Sequence, residues 1–86
     1  MPRRNGVDQA LRALSDGKPL TAETRGAAAK KLAEMLDGIS VPAIYKFRRQ
    51  GYFPLDRAKV VAAQLEIPLA DLVRDDVREA LLSNNS

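Results

Sequence analysis

Apolar residues recur along this chain at helical spacing, and no stretch alternates as a strand would. Val7, Ala10, Leu11 and Leu14 stand at i, i+3, i+4 and i+7. Gly17 and Pro19 follow them, and both residues terminate helices. A first helix is therefore predicted from about Val7 to Asp16. Ala29, Leu32, Ala33 and Leu36 repeat the spacing, and either Thr21 or Thr24 can cap the start of that second helix. Asp37-Gly38 is a turn pair, with Gly38 suited to the left-handed conformation that ends a helix. Ile39 is expected to plug the gap between helices. Ser40 is a good N-cap, and Pro42 falls in a first turn, where its missing N–H costs nothing. The third helix is thus predicted over Val41 to Gln50, ended by Gly51. Ala43, Ile44 and Phe47 point inward.

Tyr52-Phe53-Pro54 reads as a link whose aromatics cap the core. Ala58, Val61, Ala62 and Leu65 define a fourth helix from about Leu55, stopped by Ile67-Pro68. Leu69, Leu72, Val73, Val77, Ala80 and Leu81 then lie on one face if a fifth helix runs unbroken from Leu69 to Leu82. The expected architecture is all-α, five helices in a single domain over residues 7–82. A flexible basic arm (residues 1–6, MPRRNG) is expected before it and a polar tail (residues 83–86, SNNS) after it. Gly26 and the run Ala27–Ala29 are small enough to let another helix approach closely, as the tight angle of a helix-turn-helix requires.

Composition narrows the chemistry. The chain of 86 residues has no Cys and no His, which removes disulfides, thiol and imidazole catalysis and the usual zinc sites. No convergent catalytic set can be built at the spacings present, so no enzyme activity, cofactor or metal is expected. The acidic cluster Asp71, Asp75, Asp76 and Glu79 lacks the spacing and glycine of a calcium loop and reads as a solvated helix face. With 45% hydrophobic but only 5% aromatic residues, the core must come from Leu, Ala, Val and Ile. No apolar run approaches membrane length, and no apolar segment follows the basic N-terminus as in a signal peptide. A cytoplasmic location is expected.

Charge is uneven. Residues 1–54 carry ten Lys/Arg against five Asp/Glu, and residues 55–86 four against six, giving +5 and −2 of the net +3. A basic front suits a polyanion, although a solvated face is the ordinary reading of a basic cluster. The third helix ends in Lys46, Arg48 and Arg49, so a helix-turn-helix there would present cations to DNA.

The stretch LAEMLDGISVPAIYKFRRQGYFP, followed by LDRAKVVAAQLEIPLADLVRDD, resembles the Cro/repressor-like helix-turn-helix domains of phages, especially their YdaS-like branch. The resemblance covers about residues 26–78. It implies a lambda-repressor/Cro-like fold and a sequence-specific transcriptional regulator of phage or mobile-element type. Such a protein binds double-stranded operator DNA as a homodimer, with residues 41–50 in the major groove. Two departures stand out. Asp37 is an extra residue in the turn, and Val41 and Pro42 replace the polar residues common at the tip of the recognition helix. The family's closing segment also often carries Pro after its Leu, and here Leu72-Val73-Arg74 has none.

By position, Ser40, Val41, Pro42, Tyr45, Lys46 and Arg49 would reach base edges. Lys46 or Arg49 can donate to guanine, Val41 and Pro42 can lie on thymine methyls, and Ser40 and Tyr45 can bond phosphate or base. Arg48, Lys30 and Lys31 suit phosphates, which fix register. Phe47 and Phe53 read as core rather than as base-stacking groups. The stripe Leu69–Leu82 either pairs two copies or packs back on its own core. Two further readings stand beside DNA regulation: a helical protein-interaction module, or a DNA-binding antitoxin, that has kept the fold.

Overall fold

The computed structural model describes residues 5–83, which form an all-helical domain. Its helices are α1 (Gly6–Ala13), α2 (Ala22–Met35), α3 (Val41–Gln50), α4 (Leu55–Leu65) and α5 (Asp75–Ser83), with one turn of 3₁₀-helix at Leu69–Asp71 between the last two. Among the described residues there is no strand, and no helix is long and apolar enough to cross a membrane.

The amphipathic faces meet in one core. Val7, Ala10 and Leu11 of α1, Ala28, Ala29, Leu32 and Ala33 of α2, Ile44 of α3, and Ala58 and Val61 of α4 are all buried, together with Leu36, Phe53, Ile67, Leu72 and Val73 from the connections. Phe53 is the largest of these side chains, and Phe47 packs edge-on against it with ring centroids 5.8 Å apart. Tyr52 does not join it in the core. It lies half-buried, with the Arg74 guanidinium 6.0 Å from its ring centre. The small run on α2 is used selectively: Ala28 and Ala29 are buried, whereas Ala27 is exposed and a side chain at Gly26 would meet open space.

Capping explains most of the boundaries. Thr21 and Thr24 form a reciprocal capping box at the start of α2, so the two candidate caps act together. The Ser40 hydroxyl accepts from the Ala43 N–H at 3.3 Å, and left-handed Gly51 closes α3 with its N–H donating to the Phe47 carbonyl at 2.8 Å. Between α2 and α3, Asp37 and Gly38 are both left-handed, at φ 64° and 74°. The Gly38 N–H reaches back to the Ala33 carbonyl at 3.0 Å, the long-range bond of a Schellman-type helix end. The turn thus holds two successive left-handed residues, the first of them an Asp, which tolerates that conformation better than most residues.

Three boundaries differ from the sequence expectation. Helix α1 stops at Ala13 rather than Asp16. The buried Ser15 hydroxyl lies 2.8 Å from the Arg12 carbonyl and 2.9 Å from that of Lys18, so its one proton competes for backbone partners and favours a turn. The predicted arm ends too late, because Asn5 caps α1 and Gly6 is its first residue. The arm's remaining residues, Arg3 and Arg4 among them, lie outside the described residues, as does residues 84–86 of the predicted tail; Ser83 still belongs to α5.

The largest difference is in the last helix. The chain breaks at Leu72–Arg74 instead of running unbroken from Leu69 to Leu82. Leu72 and Val73 are buried in the domain's own core, Val77 and Leu81 pack on it partly, and Ala80 and Leu82 are exposed. The break has a tertiary cause: the Phe53 N–H takes the Leu72 carbonyl at 2.8 Å, so this carbonyl is turned to the link after α3 rather than to a helical neighbour.

Gly6 sits at the junction that enforces this. Its N–H donates to the Gly51 carbonyl at 2.9 Å, and a Cβ there would overlap the Asp71 carbonyl oxygen and press on the Leu72 Cα. Replacing a helical Gly with Ala ordinarily gains about 0.5–1 kcal/mol. Here the obstructing atoms are backbone, and overpacking costs about 1–3 kcal/mol, so the clash wins. Gly6→Ala is expected to lower the urea midpoint by about 1 M; an unchanged or raised midpoint would show that the junction can relax.

Candidate nucleic-acid interface

Helix α3, VPAIYKFRRQ, contains three cations and no carboxylate. At 100° per residue, Pro42, Lys46 and Arg49 fall on one stripe at i, i+4 and i+7. All three are exposed, as is Gln50 beside them. Ile44 is on the opposite face, fully buried, and anchors α3 on the core. Val41, Tyr45 and Phe47 flank the stripe, half-buried and packed against that core. Among the described residues neither Lys46 nor Arg49 forms an ion pair.

Arg48 behaves differently from its neighbour. Its Nε donates to the Asp8 carboxylate at 2.6 Å, with the two side chains 33% and 23% exposed. The Arg48 carbonyl accepts from the Asn5 side-chain amide at 3.0 Å. The residue assigned to phosphate by its place in the sequence is therefore held between α3 and α1. Gln9 extends the same seam, donating to Asp71 at 3.4 Å.

The remaining sequence-predicted residues are spread. Ser40 is exposed but occupied in capping. Lys30 and Lys31 are exposed on α2. The Lys31 amine turns toward the connection after α1, 3.5 Å from the Leu14 carbonyl and 4.0 Å from Asp16. Ser40, Val41, Pro42, Tyr45, Lys46 and Arg49 are thus brought together on one helix and its cap, while Arg48 and Lys31 are drawn toward α1.

A groove of about 520 Å³ opens past the C-terminal end of this stripe. Three carboxylates, Asp71, Asp75 and Asp76, line it against two guanidinium groups, Arg49 and Arg74. Arg74 is itself paired with Asp76 through two contacts of 2.9 Å. Among the described residues the groove's balance is negative, and on that lining it bounds the cationic surface rather than extending it. Sequence reasoning assigned these acidic residues to a solvated face. Asp75, Asp76 and Glu79 are exposed, and Asp71 is half-buried against Gln9.

Comparison of the chain with protein-family models, curated proteins and solved structures finds no match.

The contrast between adjacent arginines is measurable. Removing a partner from a partly buried charged hydrogen bond costs about 1–2 kcal/mol once solvent screening is discounted, and an exposed, unpaired side chain contributes within about 0.5 kcal/mol. Arg48→Ala is expected to destabilise the fold by the larger amount and Arg49→Ala by the smaller. Equal losses in chemical denaturation would contradict the assignment.

Proposed function

We propose that this chain is a sequence-specific DNA-binding transcriptional regulator of the phage or mobile-element kind. In this reading α2 and α3 form a helix-turn-helix within a lambda-repressor/Cro-like domain, and α3 enters the major groove. The observation that carries the proposal is the exposed stripe Pro42, Lys46 and Arg49, whose two cations have no ion pair among the described residues, on a helix without acidic residues. An unpaired cation pair on a helix braced from behind by Ile44 suits phosphates and guanine edges, both of which accept hydrogen bonds. The resemblance over residues 26–78 points the same way.

One recognition helix makes a small interface, so the proposal includes a homodimer reading two half-sites about 34 Å apart. Leu72 and Val73 are committed to the core, which leaves Val77, Leu81 and Leu82 of the stripe Leu69–Leu82 to serve pairing. The regulator would act by occupying an operator and blocking or recruiting polymerase. An apolar tip, exposed Pro42 beside half-buried Val41, favours a second reading: a helical protein-interaction module or an antitoxin built on the same fold.

The test is binding to duplex fragments from the gene's own upstream region at rising salt. Neutralising about five phosphates makes affinity fall by about a hundredfold or more between about 50 and 200 mM salt. Lys46→Ala combined with Arg49→Ala is expected to weaken binding at least tenfold, with the fold retained by circular dichroism. Biological activity that survives this double variant would favour the protein-interaction reading.

A further inference from the structure

Resting on the DNA-binding reading above, we infer that α3 reads an ordered half-site: a thymine at its N-terminal tip, then guanine about two to three base pairs further along. Pro42 is exposed at the tip, where its neighbour Val41 is half-buried against the core and the exposed Ser40 is committed to its cap. Its ring offers only C–H groups, and its nitrogen carries no hydrogen, so it can neither donate to nor accept from a base edge. The one apolar projection on the major-groove floor of unmodified DNA is the thymine C5 methyl. Against cytosine, adenine or guanine the same ring would cover a polar edge group and give it no partner, which is unfavourable.

The cations fix the order. Lys46 lies four residues beyond Pro42 on the stripe and Arg49 seven, about 6 Å and 10 Å along the helix axis. In the docking inferred here α3 lies along the duplex, and with base pairs about 3.4 Å apart these separations are about two and three steps. Guanine presents two acceptors, O6 and N7, and is the base that a Lys or Arg recognises most readily. Arg48, the third cation of α3, is not part of the reading set because Asp8 holds it. Tip and cations are therefore read in sequence along one stripe, with chemistry that changes from apolar to cationic.

The inference is tested by selecting duplexes from a random library with the full chain, then measuring affinity for a selected duplex whose tip-contacted thymine is replaced by uracil. That change removes one methyl group and leaves every hydrogen-bonding edge intact. The expected result is thymine enriched two to three base pairs from guanine, and about three- to fivefold weaker binding with uracil, the factor one buried methyl carries. Pro42→Ala, checked for fold by circular dichroism, should bind the thymine and uracil duplexes alike. Equal affinity of the unaltered chain for the two duplexes, or a selected site without that thymine, would overturn the ordered half-site while leaving DNA binding intact. A Pro42→Ala chain that still prefers thymine would remove Pro42 from the reading set. Failure to bind any duplex at low salt would overturn both this inference and the proposed function.

Discussion

The fold depends on a close approach that only a residue without a side chain permits, that of Gly6 to the backbone at Asp71 and Leu72. The same residue donates to the carbonyl of Gly51, so the start of α1, the end of α3 and the segment before α5 converge on one peptide. Around it run the Asn5 bond to the Arg48 carbonyl, the Arg48–Asp8 pair, the Gln9 bond to Asp71 and the Phe53–Leu72 backbone bond. Each is worth only about 1 kcal/mol net, but they join parts of the chain that are distant in sequence. A small all-helical domain gains most of its stability from amphipathic faces. Faces alone allow helices to slide, and this seam of directional bonds fixes α1 against α3.

The seam also determines the surface that α3 has left. Arg48 and Arg49 are adjacent in sequence and about 100° apart around the helix, so one faces α1 and the other faces solvent. Charge that looks like a single basic cluster is divided between structure and surface. A polyanion meeting α3 would find Lys46 and Arg49, with the negative groove beyond Arg49 limiting how far the contact extends. On α2, Lys30 is exposed, while Lys31 reaches back to the α1–α2 connection.

Much of the fold could be read from the chain because its signals are local. Val7, Leu32, Ile44 and Val61, one from each of the four predicted faces, are buried, with Leu14, Phe47, Ala62 and Leu65 of those faces packed partly against the same core, and the bounds of α3 follow from Ser40 and Gly51, caps that act within one turn. What could not be read depends on partners far away in sequence. Leu69, Leu72, Val73 and Val77 keep helical spacing across a point where the helix is broken, because the Leu72 carbonyl is claimed by Phe53 and the backbone there is pressed on Gly6. Periodicity reports which residues are buried and is silent on whether the backbone between them is continuous. Likewise nothing near Arg48 in sequence identifies Asp8 as its partner. On α3, spacing placed Val41, Pro42, Tyr45, Lys46, Arg48 and Arg49 together away from Ile44; that Pro42, Lys46 and Arg49 are exposed while Arg48 is withdrawn was not legible.

Two features, the turn before α3 and the tip of α3, act on different variables. Asp37 adds a second left-handed residue before Gly38, so it bears on where the start of α3 stands relative to α2. Val41 and Pro42 leave that position alone and bear on what the tip can touch. The tip is also stiff: Ile39 packs on the core, Ser40 is committed to its cap, and Pro42 has a fixed φ. A stiff surface loses little conformational freedom on contact and cannot reshape itself for a poor match. In the DNA-binding reading, this makes the tip a discriminator by exclusion, tolerant of an apolar neighbour and unfavourable toward a polar one. The turn then decides which base pair is subjected to that discrimination, and the cations further along α3 hold the register in which it is made.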